Sequence, residues 1–249
     1  MFYKFLYIII CFCFFLINSA LSEKWNINIE GHLSGFKVGE SKVLFDINNK
    51  EYLLTALSNT TGITKLFYPW EQLIEVSGLI ENHIAKPLIY NIKDIRENKE
   101  TGFINIKYQN NYPVIVSAHP NPENDTRRKK ISKGFLINTI DPVNSIIYLG
   151  LISGKNNSCN HTINVFDGRR RFDLEYKQIE KNNDVLKCKL KIIRIAGYSK
   201  KELRKHPKEG TIILKKLSNN TNFYFPTEVQ IPLTIGTFYV VLTKNKVLQ

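Results

Sequence analysis

The chain has 249 residues, 43% hydrophobic and 23% charged, with 13 Gly, nine Pro and four Cys. That is enough to bury a real core, and it excludes a disordered tail protein, a collagen-like fibre and a disulfide knot. Lys and Arg outnumber Asp and Glu by 35 to 22, a net charge of +13; an anionic membrane surface is the partner this would favour. No nucleic acid is expected as a partner. The chain is also rich in Asn and Ile, so part of the basic excess fits the compositional bias of an AT-rich genome.

Met1 to Ser22 reads as a secretory signal peptide. Lys4 supplies the positive start, Leu6 to Ile17 is almost wholly apolar, and Ala20-Leu21-Ser22 places small residues where a signal peptidase reads. Cleavage is expected after Ser22, leaving residues 23–249 as a single β-rich domain in the periplasm. Cys159 and Cys188 are then the remaining cysteines, an even number in an oxidising compartment, and one disulfide is expected between them.

Period-two alternation recurs along the remainder. Trp25, Ile27 and Ile29 alternate with Asn26, Asn28 and Glu30, and Val43, Phe45 and Ile47 with Lys42, Leu44 and Asp46. Lys65 to Ile80 reads as β-structure broken near Pro69. Ile104, Ile106 and Tyr108 lie opposite Asn105 and Lys107. Asn121 to Lys133 reads as a solvated loop carrying the basic run Arg127 to Lys130. One helix is expected: Asp141 is a good N-cap, Pro142 suits the first helical position, and Ile146, Ile147 and Leu151 share a side, with Gly150 or Gly154 as its end. Asp167-Gly168 predicts a two-residue type I′ hairpin joining Asn160–Phe166 to Arg169–Tyr176. Leu186, Cys188, Leu190 and Ile192 then alternate with Lys187, Lys189 and Lys191. Further turns are expected at Asn48-Asn49, Asn98 to Gly102, Lys181 to Asp184 and Ser218 to Asn222. The fold class is therefore mainly β, a curled antiparallel sheet or incomplete barrel with one helix across or beside its concave face.

In that meander one strand separates the two cysteine-bearing strands, and next-but-one strands lie about 9.5 Å apart, beyond bridging reach. Cys159 must then sit just off a strand end, or the sheet must bend. Arg170 and Arg194 fall on otherwise apolar rows. They are candidates to hold an anionic group beside an apolar groove, although pairing with a carboxylate or carbonyl of the chain itself is the preferred reading. The five His are scattered without ligand spacing, and neither a GxSxG elbow nor a P-loop is present. No catalytic residue, metal or cofactor is expected, and the enzyme reading is the minority one.

The residues also resemble a known family. Gly31…Gly35…Gly39-Glu40, Asp141-Pro142 before a helix, Cys159 followed by Val165-Phe166-Asp167-Gly168-Arg169-Arg170-Arg171-Phe172-Asp173-Leu174, Cys188, Arg194-Ile195-Ala196-Gly197-Tyr198 and Thr234-Ile235-Gly236 resemble the exported bacterial proteins of domain-of-unknown-function family 3108. The resemblance implies a periplasmic β-protein, a curled sheet similar to the incomplete barrels of the LolA and LolB lipoprotein carriers, and no established activity or catalytic residues. The expected function is a non-enzymatic envelope protein holding an acyl chain, lipid or apolar peptide in its concave sheet; the alternative is a structural or interaction module with a self-filled core.

Overall fold

The computed structural model describes residues 23–205, 207–217 and 222–248. The expected signal peptide, Met1–Ser22, lies outside the described residues, as does most of the expected turn from Ser218 to Asn222. Thirteen strands are described: β1 (Glu23–Leu33), β2 (Phe36–Ile47), β3 (Glu51–Thr60), β4 (Glu71–Glu81), β5 (Ile84–Arg96), β6 (Lys99–Gln109), β7 (Tyr112–His119), β8 (His161–Phe166), β9 (Arg171–Asn182), β10 (Val185–Ala196), β11 (Glu209–Lys216), β12 (Tyr224–Leu233) and β13 (Gly236–Leu248). They form one antiparallel sheet in the order β7-β6-β5-β4-β3-β2-β1-β13-β12-β11-β10-β9-β8. Two meanders are thus joined by the pairing of β1 with β13, where Trp25 faces Val247 and His32 faces Tyr239. The sheet nearly closes into a barrel, with one seam between the edges β7 and β8.

Alternation explains which side faces in. Trp25, Ile27, Val43, Phe45, Tyr52 and Leu54 are buried while Lys24, Asn26, Leu44 and Leu53 point out, and Leu186, Cys188 and Leu190 are buried between outward lysines. Tight hairpins follow from paired left-handed residues at Asn82-His83, Glu97-Asn98 and Asn110-Asn111, the geometry of a type I′ turn. The β5–β6 turn is therefore tighter than expected, since Lys99 to Gly102 already belong to β6.

Three local expectations are corrected. Gly62–Phe67 forms a short helix, α1, and strand structure begins only after Pro69, at Glu71. At Asp167-Gly168 only the glycine has positive φ, at 88°, so the turn is not type I′. It is a four-residue connection in which the Asp167 carboxylate accepts the amide N–H of Arg169 (2.9 Å) and Arg170 (2.7 Å), and β9 starts at Arg171. Finally, the long helix α2 (Pro142–Asn156) continues through both glycines and stops at Asn157, whose φ is 50°.

Those glycines have another role. A Cβ on Gly150 would meet the Tyr224 carbonyl oxygen at 2.2 Å, and one on Gly154 would meet that of Asn222 at 1.5 Å. Their absent side chains let α2 lie directly against the start of β12. The helix fills the inside of the curled sheet: Ile147 and Leu151 pack with Trp25, Phe45, Tyr52 and Phe223, while Leu149 packs with Cys159, Tyr176, Leu186 and Leu214. Cys159 sits two residues before β8 and bonds to Cys188 in β10, Cα to Cα 6.5 Å, so it reaches across β9 from beyond the strand end, as the register required.

Candidate functional site

Three places gather polar chemistry or open apolar surface: the head of α2 beside the seam, the outer face of β1–β7, and a charged cluster near α3 (Lys200–Lys205).

At the first, Asp141 caps α2, accepting the amide N–H of Val143 at 3.0 Å and of Asn144 at 2.9 Å. Its other carboxylate oxygen accepts the Tyr108 hydroxyl at 3.0 Å and the Asn144 side-chain amide, and Tyr52 donates to Asn144 Oδ1 at 2.6 Å. Asp141 is wholly buried. Burial raises its pKa to about 6 against the opposing hydrogen bonds from Asn144 and Tyr108. Burial, and then the Asp141 charge, push the Tyr52, Tyr90 and Tyr108 hydroxyls up, so they stay protonated and able to donate.

The chain then tacks its own seam. Ile140 donates to the Asn164 carbonyl and accepts from Phe166, both at 2.9 Å, and Asn138 donates to the Asn111 carbonyl at 2.9 Å. A cavity of about 330 Å³ remains beside these stitches, lined by Ile84, Ala85, Tyr108, Ile140, Tyr148 and Ile163 among others.

The second place is larger. The outer face of β1–β7 holds a trough of about 820 Å³. Its apolar lining includes Leu44, Leu57, Leu73 and Phe103, with Lys42, Glu75, Lys93 and Glu100 and the amides of Asn26, Asn91 and Asn105 around them. Leu44 is 52% and Leu73 43% exposed, so apolar area is open to solvent there. Lys93 and Glu100 pair at 2.6 Å, and Asn105 donates to Ser117 at 2.8 Å. Sequence reasoning placed Leu44 on the polar row; the available signal was that Leu44, Leu53, Leu57 and Leu73 interrupt that row on three adjacent strands.

The third place contains both arginines singled out from sequence. Arg170 lies in the turn before β9 rather than on an apolar strand face; its Nε donates to Asp167 at 2.7 Å, and its guanidinium lies 3.7 Å from Glu202. Arg128 also pairs with Glu202, at 2.7 Å. Burial opposes ionisation of Glu202, but hydrogen bonds from Ser199 and Arg128 outweigh it and lower its pKa to about 2. Arg194 donates to the Leu203 carbonyl and lies 5.9 Å from the Tyr198 ring centre. An anionic ligand would have to compete with these partners, and neither arginine lines the trough or the seam cavity.

The family described as "Protein of unknown function (DUF3108)" matches residues 24–243. Among solved structures, the chain is similar to the crystal structure of a β-barrel-like protein of domain of unknown function DUF1849 from Brucella abortus. The identity is 8%, the match covers 92% of this chain and 98% of that chain, and the TM-score is 0.50. That likeness concerns the fold. Comparison with curated proteins finds no match.

Proposed function

Starting from a chain that belongs to the DUF3108 family of unknown function, we propose that the protein is an exported, non-enzymatic component of the cell envelope that holds an acyl chain or apolar peptide segment. The supporting observation is the trough of about 820 Å³ on the outer face of β1–β7, a volume within the usual range for small-molecule sites. Leucines and Phe103 form an apolar surface, while amides and paired charges surround it, a lining suited to holding a chain rather than transforming it. The guest site differs from the one expected on the inner face, which α2 already occupies. Export is supported by the Met1–Ser22 reading together with the Cys159–Cys188 bond, which fits an oxidising compartment.

Native mass spectrometry of protein purified from its own envelope tests this reading. A bound lipid or apolar peptide is expected, lost in the variant Leu44→Lys/Leu73→Lys. An empty wild-type protein that also fails to take up a fluorescent fatty acid would refute it. The filling of the sheet by α2 favours a second reading, a structural or interaction module with a self-filled core, and that empty outcome is what it predicts.

A further inference from the structure

The rim formed by three neighbouring connections carries large apolar side chains that nothing among the described residues covers. Phe36 in the β1–β2 hairpin, Ile63, Leu66 and Phe67 on α1, and Ile235 in the β12–β13 hairpin are each between 70% and 84% exposed. The three connections are laced side by side. Ser34 donates from its amide to the Thr237 carbonyl at 3.1 Å and from Oγ to the Ile235 carbonyl at 3.2 Å, while Thr61 donates to the Val38 carbonyl at 3.2 Å. Monomeric proteins rarely leave such a contiguous apolar patch without an interaction to use it.

The occupant follows from shape and charge. These side chains stand on loop tips rather than lining a hollow, which suits immersion in a deformable medium. Across the tips, residues 33–37, 60–70 and 233–237, the charged residues are Lys37 and Lys65, both cations. Glu30 and Glu40, which pair with Lys37 at 2.8 and 3.0 Å, lie further down β1 and β2. Tyr68 and Trp70 follow α1 directly, the residue types that settle at the headgroup level of a bilayer. We propose that this rim docks the protein on an anionic lipid bilayer, with Phe36, Leu66 and Phe67 entering the headgroup–acyl boundary and Lys65 meeting lipid phosphates. The proposal is independent of whether the trough holds a guest.

Co-sedimentation with vesicles tests it, using the chain from Glu23 onward, which contains the thirteen described strands. Vesicles of phosphatidylcholine with phosphatidylglycerol should bind the protein about tenfold more tightly than phosphatidylcholine alone. Leu66→Ser/Phe67→Ser should weaken that binding by at least about tenfold, with circular dichroism and the disulfide unchanged because both side chains are exposed. Lys65→Glu should remove most of the preference for the anionic vesicles. Equal binding by the serine variant would overturn the proposal. So would a concentration-dependent dimer that the serine variant abolishes while neither protein binds vesicles; that result would assign the rim to a second copy of the chain.

Discussion

The inner and outer faces of β2–β4 are built from the same strands and have opposite fates. Phe45 is 1% exposed and its neighbour Leu44 is 52% exposed, although both are large and apolar. The inner residue meets α2 and the aromatic pair Phe223 and Phe225; the outer one lines the trough. The contrast shows that apolar character in a strand does not by itself make a core. A covering element does, and here that element is a single helix admitted by two glycines.

The strongest test of the inner face removes that admission. Gly154→Val places a Cβ into the Asn222 carbonyl, which a flexible side-chain adjustment cannot relieve. Unfolding by urea should show a loss of more than about 4 kcal/mol, at the extreme of single substitutions. A smaller loss would mean that α2 can move away from β12 without disturbing the sheet around it. Next in size is Cys159→Ser. Opening a loop with a sequence separation of 29 should cost roughly 3.5 kcal/mol on the chain-entropy account, and the denatured variant of the chain from Glu23 onward should titrate with one free thiol, that of Cys188. Unchanged melting under reducing conditions would show the bond to be dispensable to the β8–β10 region.

Asp141 gives a smaller and pH-dependent effect. Its carboxyl binds a proton near pH 6 when folded but only near 3.8 when unfolded. Acidification through that window therefore stabilises the fold, since the folded state takes up the proton first. From pH 7 to 4.5 the gain from this group is about 2 kcal/mol. Asp141→Asn keeps a good cap and should abolish the gain, read as the difference between the two proteins' urea midpoints at each pH. Glu202 acts in the opposite sense but at lower pH: its lowered pKa, about 2, contributes stability present above its usual value of 4.5 and lost as pH falls towards 2. A wild type and Asp141→Asn variant with parallel pH profiles would remove the buried carboxyl from the account.

Much of the inner face was legible in the sequence because period-two burial is a local signal. The Trp25, Val43 and Leu186 rows read directly, as did the Asp141-Pro142 helix start, whose capping bonds span three residues. The cysteine pairing followed from the even number of cysteines beyond Ser22, and strand spacing then required Cys159 to lie off a strand end or the sheet to bend. What failed depended on distant parts of the chain. Gly150 and Gly154 resemble helix ends locally, and only the approach of Tyr224 and Asn222 gives them their purpose. Asp167-Gly168 is the local exception: it resembles a type I′ turn until the Asp167 carboxylate takes the amides two and three residues on. The joining of β1 to β13 has no local signature, since it pairs segments near opposite ends of the chain. The trough was missed for the same reason: Leu44, Leu57 and Leu73 are single interruptions of polar rows until the sheet sets them side by side.

The least disruptive test acts on the outer face. Leu44→Ser/Leu73→Ser removes apolar groups that are already half in water, so each replacement should alter stability by no more than about 0.5 kcal/mol. The inner neighbour provides the control: Phe45→Ala, which opens a void beside Phe223, should cost about 3 kcal/mol or more. The serine pair should nevertheless abolish uptake of a fluorescent fatty acid, because apolar contact in the trough depends on these side chains and no backbone change compensates. If the serine pair instead destabilised the protein as much as Phe45→Ala does, the outer leucines would belong to a core covered by some further part of the molecule. The contrast between the two faces would then have to be redrawn.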